Sequence, residues 1–125
     1  MSYLHVENLY KNQDILMFRE CYALEKIHGT SAHVAWKDNQ LVLFSGGSTF
    51  SEFEKLFDKD ALTQKFAAGF TDTHIVIFGE AYGGKLQGMR DTYGPNLRFI
   101  AFEVKIGDSW LSVPVAEEIA LKLGF

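Results

Sequence analysis

The chain has 125 residues, of which 47% are hydrophobic and 22% charged, a size and composition typical of one globular domain with a modest core. A formal net charge of -4 excludes an overall basic surface, so any contact with nucleic acid is expected to be local. Cys21 is the only cysteine, which excludes an internal disulfide and favours a reducing, cytoplasmic setting, or the host cytoplasm if the protein is viral. No apolar run approaches the roughly 20 residues that span a bilayer, so no membrane partner is expected.

The first half of the chain is predicted to consist mainly of strands. Residues 21–24 are expected to form a strand that enters a polar turn at residues 25–30. Alternating side chains predict the next strand over residues 31–36, with a return strand over residues 40–44. The intervening residues 37–40 contain Asp and Asn, which tolerate turn conformations, and therefore predict a hairpin.

Helical spacing replaces this alternation between residues 51 and 69. Ser51 is expected to cap one helix and Asp60 a second helix that is closed by Gly69. Residues 74–80 are the most apolar stretch of the chain and predict a central strand that is buried on both faces.

A glycine-rich loop is predicted over residues 81–96, and loops of this length in compact domains are usually functional or disordered. Residues 97–106 alternate as a strand does. The alternation puts Glu103 on the same face as Phe99 and Val104 on the opposite face.

The chain ends with a predicted helix in which Pro114 suits the first turn. Strands joined by hairpins, with helices inserted, indicate an α+β fold with a mostly antiparallel sheet.

Three short stretches carry residue types that are suited to nucleotide chemistry. They are residues 25–29 (EKIHG), residues 77–84 (IFGEAYGG) and residues 98–104 (RFIAFEV). In order and approximate spacing they resemble motifs of the covalent nucleotidyltransferases, and within them the ATP-dependent RNA ligases of the phage nick-sealing type. The resemblance extends over nearly the whole chain, from about residue 6 to residue 125.

The resemblance implies that Lys26 is the catalytic nucleophile and that Gly29 completes a lysine-x-x-glycine motif. A neutral lysine amine would attack the α-phosphate of ATP, release pyrophosphate and leave a lysyl-AMP phosphoramidate. Mg²⁺ or Mn²⁺ would offset the charge on the phosphates. AMP would then pass to the 5′-phosphate end of an RNA, and a 3′-hydroxyl would displace it to seal the strand.

Four further residues are implied to bind the nucleotide. Glu25 would contact it through its backbone, with its side chain paired elsewhere, and Ile27 would pack on the adenine. Glu80 would accept a hydrogen bond from a ribose hydroxyl, the alternative being a strand-end charge in solvent. Phe102 would stack beside the base, the alternative being ordinary core packing.

Other candidate ligands are weaker. Lys85, Arg90 and Arg98 either hold phosphates of ATP or RNA or form a solvated basic fringe. His28 and His33 have no Cys or Asp partner at a suitable spacing, so no metal site is predicted.

The sequence departs from the family pattern in two places. Residues 45–47 (SGG) occupy the position where related ligases often carry an arginine, and the family's later motifs, a metal-binding glutamate and paired lysines, have no counterpart in residues 110–125. Residues 1–125 are therefore expected to be one domain, the N-terminal portion of an adenylation domain. A missing C-terminal segment or a homo-oligomer would complete it.

Two alternatives to an RNA ligase stay open on the sequence alone. One is another nucleotidyltransferase, such as a DNA ligase or a capping-type enzyme. The other is a non-catalytic module that binds nucleotide or RNA. Nucleotide competition would separate the enzymes, and ATP protection of the fold without a covalent adduct would indicate the module.

Overall fold

A computed structural model describes residues 2–47 and 50–125, which form an α+β fold around an antiparallel sheet. Five strands in this described part lie in the order β2-β1-β3-β4-β5. They are β1 (Thr30–Lys37), β2 (Gln40–Ser45), β3 (Ile75–Tyr82), β4 (Arg98–Ile106) and β5 (Ser109–Trp110). The helices are α1 (Phe50–Glu54), α2 (Lys59–Gly69), α3 (Arg90–Tyr93) and α4 (Val113–Leu123), with 3-10 turns at Asp14–Met17 and Leu86–Gly88.

The predicted hairpin between β1 and β2 is confirmed. Asp38 and Asn39 have positive φ angles of 52° and 57°, the left-handed conformation that Asp and Asn tolerate best among residues with a side chain. The Asn39 amide also donates a hydrogen bond to Asp72 at 2.9 Å. The turn is thus tied to the segment that leads into β3.

Helices pack against one face of the sheet, and only a smaller side-chain cluster lies on the other. The helix face carries Val34 and Trp36, and α1, α2 and α4 pack against it; the Trp36 ring stacks on Phe66 of α2 with 5.6 Å between centroids. The open face carries a smaller cluster around Phe78. β3 lies between β1 and β4 and is buried on both faces over most of its length, as its apolar sequence predicts.

A β-bulge in β4 overturns part of the predicted alternation. The register of β3 against β4 shifts by one residue, which leaves Phe102 as an extra residue in β4. Val104 consequently packs in the helix-face core with Phe99, whereas Glu103 receives a hydrogen bond from Tyr3 on the open face. The predicted faces of Glu103 and Val104 are therefore wrong, because a one-residue insertion reverses every side chain beyond it.

Two smaller predictions about the first half are also wrong. Residues 21–24 pair with no strand in the described part of the chain, and Leu24 is 58% exposed. Ser51 lies inside α1 rather than before it. The positions of β3, β4 and the proline-started α4 agree with the sequence patterns.

The predicted cap of α2 is displaced by two residues, and Asp58 holds the position expected for Asp60. The Asp58 carboxylate accepts a hydrogen bond from the N–H of Ala61 at 3.1 Å, from an extended backbone with φ -80° and ψ 97°. An N-cap residue needs such an extended conformation for its side chain to reach the free N–H groups of the first turn.

We expect Asp58→Ala to lower the free energy of unfolding by about 1 kcal/mol, since it leaves the N–H of Ala61 without its side-chain acceptor. Urea-induced unfolding would measure the change. Asp60→Ala is the matched control, because Asp60 lies in the first turn, where its charge interacts with the helix dipole, but it is not the N-cap residue. Equal losses for the two variants would contradict the cap assignment.

Among the described residues, no helix has the length and apolar character needed to cross a membrane.

Candidate functional site

The loop that contains Lys26 is tied to the end of β3. The N–H of Gly29 donates a hydrogen bond to Oε1 of Glu80 at 3.2 Å, across a separation of 51 residues. A Cβ at Gly29 would lie 2.0 Å from the carbonyl oxygen of Ala81, so this close approach requires glycine. The first and second sequence motifs are therefore adjacent.

Two residues that the sequence did not single out also hold this loop. Oη of Tyr93 accepts a hydrogen bond from the N–H of His28 at 3.2 Å, and Nε2 of Gln87 donates to the carbonyl of Gly29 at 3.2 Å. Both belong to the glycine-rich segment after β3, whose length is typical of a functional or a disordered loop. Because the segment has no regular period, nothing in its sequence distinguished these two side chains.

The electrostatic environment of Glu80 reflects its position at this junction. Burial raises the pKa of the Glu80 carboxyl above its ordinary value. The hydrogen bond from Gly29 and the positive charges of Lys26 and His28 act in the opposite direction. Glu80 is thus a half-buried carboxylate within electrostatic reach of the predicted nucleophile.

Three of the predicted nucleotide-binding residues, Glu25, Ile27 and Phe102, line one cavity of about 440 Å³. Its volume falls in the range of roughly 300–1,000 Å³ that is typical of small-molecule sites. The cavity lies between the 24–27 segment, the unpaired edge of β4 and helix α4.

The walls of this cavity combine apolar side chains with acidic ones. The apolar contribution includes Phe99, Ala116 and Ala120, and the charged residues on the lining are Glu25, Glu103 and Glu117. A cavity with this lining suits a flat, largely apolar group that carries hydrogen-bond donors, and it repels phosphate.

Lys26 itself lies outside this lining, and its side chain is exposed. The structure thus places Lys26 close to Glu80. The two residues that flank Lys26, Glu25 and Ile27, lie on the cavity wall, but the amine of Lys26 is not enclosed. The chain connects the two parts of the site directly, because Lys26 lies between the cavity-lining residues Glu25 and Ile27 and is three residues before Gly29.

Phe102 packs against an aromatic neighbour and also lines the cavity, so its predicted stacking on a base stays a prediction. Its ring meets Tyr3 edge-on, with 5.1 Å between centroids, and it also lines the cavity. Phe99 lies on the helix face against Phe53 and Phe57. The two phenylalanines therefore lie on opposite faces of the sheet.

The remaining candidates do not converge on this site. Lys85 and Arg90 are exposed, and the guanidinium of Arg98 lies 5.5 Å from the ring centroid of Tyr82. His33 is buried against Phe44, and burial lowers its pKa. Within residues 2–47 and 50–125, no three His, Cys, Asp or Glu side chains form a group suited to a metal ion.

Residues 45–47, where the resemblance would lead one to expect an arginine, lie at the end of β2. The N–H of Gly46 donates to the carbonyl of Ser31 at 3.0 Å, and Gly47 is exposed. Gly46 therefore extends the pairing of β2 with β1 by one hydrogen bond.

We expect Glu80→Gln to stabilise the fold increasingly as the pH rises. Since the folded pKa of Glu80 is raised, its contribution to stability is fully present below its unfolded pKa and is lost as the pH rises through the folded pKa. Glutamine keeps an acceptor for Gly29 but has no charge to bury. Thermal unfolding from about pH 4 to about pH 7 would show a gap between variant and wild type that widens with pH.

The exposed Glu7 provides the control, because Glu7→Gln removes a carboxylate that is not buried. A gap between Glu80→Gln and wild type that stays constant across the pH range would contradict the assignment.

No family model, curated protein or solved structure matches this chain. The function proposed below therefore rests on the residues of this chain, on their resemblance to the ligase motifs and on their geometry.

Proposed function

We propose that this chain is the N-terminal, nucleotide-binding part of the adenylation domain of an ATP-dependent RNA ligase, with Lys26 as the nucleophile. The hydrogen bond from Gly29 to Glu80 is the observation that carries the proposal. It joins the lysine motif to the strand-end carboxylate, beside a cavity that Ile27 and Phe102 line.

The character of the cavity supports one orientation of the nucleotide. Its acidic side chains disfavour the triphosphate and accept hydrogen bonds from the exocyclic amine of adenine, while its apolar side chains cover the faces of the base. The phosphates then lie outside the cavity, on the side of the exposed Lys26. A carboxylate has two oxygens, so the bond from Gly29 leaves Glu80 with acceptor capacity for a ribose hydroxyl.

The first chemical step forms a bond between Nζ of Lys26 and the α-phosphorus. The bond from this phosphorus to the pyrophosphate oxygen breaks, pyrophosphate leaves, and the amine proton passes to solvent water. Mg²⁺ or Mn²⁺ bound with ATP would neutralise part of the phosphate charge. AMP then passes from Lys26 to an RNA 5′-phosphate, and a 3′-hydroxyl displaces AMP to form the phosphodiester.

The open face supports the idea that more protein covers this site. Val42 and Phe44 of β2 and Ile100 of β4 are each at least 40% exposed on it. We propose that a C-terminal segment or a second copy covers them and supplies the missing phosphate contacts.

The exposure of Lys26 favours a second candidate, a non-catalytic module that binds nucleotide or RNA. In such a module the cavity would hold the base and no covalent bond would form.

Intact mass after incubation with ATP and Mg²⁺ or Mn²⁺ tests the proposal. We expect a gain of one AMP, which peptide mapping assigns to Lys26. ATP-dependent thermal protection without a mass gain would support the module. If ATP causes no thermal protection and no mass gain, both candidates are overturned.

A further inference from the structure

We infer that Tyr3 is a positioning residue that holds Phe102 in place for stacking on the nucleotide base. This inference rests on the proposed function, because it assumes that the cavity lined by Phe102 receives a base. The two residues are far apart in sequence, and no motif connects them.

Tyr3 inserts into an aromatic cluster on the open face. Its ring centroid lies 5.1 Å from that of Phe102 at an interplanar angle of 86°, and 5.6 Å from that of Trp110 at 87°. The ring centroid of Phe78 lies 5.4 Å from that of Tyr3, on a third side of the Tyr3 ring. Edge-to-face pairs of this kind are directional, so they fix the orientation of a ring as well as its depth.

The Tyr3 hydroxyl adds a polar contact at the residue next to Phe102. It donates a hydrogen bond to Oε2 of Glu103, which also lines the cavity. Burial, followed by the hydrogen bond to Glu103 and its negative charge, raises the pKa of the Tyr3 phenol. The hydroxyl therefore remains a donor throughout the neutral pH range.

The bulge explains why Phe102 needs such support. As the extra residue in β4 it has no partner directly opposite on β3, so the sheet ladder does not fix its side chain. Tyr3 contacts the ring on the open face, and the same ring lines the cavity. Removing Tyr3 would free the ring to turn away from the base.

Tyr10 and Met17, which follow in the same N-terminal segment, are far more exposed than a residue packed in such a cluster. Tyr10 is 95% exposed and Met17 is 82% exposed. Tyr3 is thus distinguished by its packing rather than by its residue type, and Tyr10 provides a matched control.

The test is a double-mutant cycle on the rate of AMP adduct formation as a function of ATP concentration. We expect Tyr3→Ala to raise the ATP concentration at half-maximal rate by about three- to tenfold, the scale of one lost aromatic pair, with a smaller effect on the maximal rate. We expect Phe102→Ala to raise the ATP concentration at half-maximal rate by at least as large a factor. If Tyr3 acts through Phe102, Tyr3→Ala has no further effect in the Phe102→Ala background.

Tyr3→Phe separates the ring from the hydroxyl. It keeps the ring contacts, so we expect it to restore most of the ATP affinity that Tyr3→Ala loses. Tyr3→Phe also remains available as a variant of Tyr3 if Tyr3→Ala fails to fold. Tyr10→Ala should match the wild type, and ¹⁹F NMR of 4-fluorophenylalanine at position 102 should show a changed ring environment in Tyr3→Ala alone.

The outcomes distinguish the inference from the function on which it rests. A wild type that forms an adduct, with additive effects of Tyr3→Ala and Phe102→Ala, would overturn the role of Tyr3 and leave the proposed function intact. A wild type without an adduct would overturn the catalytic proposal. An unchanged fluorine signal in Tyr3→Ala would then overturn the positioning of Phe102 separately.

Discussion

Replacing Lys26 by alanine is expected to abolish the AMP adduct completely while leaving the fold intact. The side chain is exposed, so its removal creates no cavity in the core. Without Nζ no phosphoramidate can form, and ATP binding in the cavity lined by Ile27 and Phe102 should persist. Intact mass spectrometry measures the adduct, and ATP-dependent thermal protection measures the binding.

Two further variants separate chemistry from charge. Lys26→Arg keeps a positive charge near Glu80 but offers no amine that can lose its proton, so it should also form no adduct. Lys37→Ala removes an exposed lysine at the end of β1 and should form the adduct at the wild-type rate. An adduct that survives in Lys26→Ala would show that another residue is the nucleophile.

Hydrophobic periodicity predicts the regular parts of this fold well. The strands around residues 34 and 77, the hairpin at Asp38 and Asn39, and the proline at the start of α4 all carry local signals that tertiary packing does not override. These features depend on residues close to one another in sequence. They are therefore visible without the structure.

The bulge at Phe102 has no such local signal. Its position depends on how β3 approaches β4, and Gly79 contributes to that approach, because a Cβ there would lie 2.1 Å from the carbonyl oxygen of Ile100 and 2.5 Å from the ring of Phe99. A pattern within one strand cannot reveal the spacing between two strands. The faces of Glu103 and Val104 were consequently predicted incorrectly.

The residues of the candidate site also fall into two groups, those that the sequence indicates and those that only the structure reveals. Residue types and the family resemblance selected Lys26, Glu80 and Phe102, which carry the proposed chemistry. The residues that hold them, Tyr3 and Tyr93, act through long-range hydrogen bonds and ring contacts. Such supporting contacts depend on loop geometry, and the sequence offers no period or spacing from which to infer them.

Gly29→Ala is expected to have the second large effect, on both stability and reactivity. The added Cβ would lie 2.0 Å from the oxygen and 2.9 Å from the carbon of the Ala81 carbonyl, and 3.0 Å from Cα of Tyr82. These are backbone atoms of the central strand, which cannot move aside as a flexible side chain would. We expect a loss of about 2–4 kcal/mol in the free energy of unfolding, measured with urea.

The loop can relieve this clash only by moving away from β3. That movement would break the hydrogen bond from Gly29 to Glu80 and shift Lys26, and a displacement of about 1 Å at a reacting group can cost about a hundredfold in rate. Gly69→Ala is the control, because no atom lies within 4 Å of its added Cβ at the end of α2, where alanine should stabilise by about 0.5–1 kcal/mol. Wild-type stability and adduct formation in Gly29→Ala would mean that the close approach of the lysine loop to β3 is not required for the chemistry.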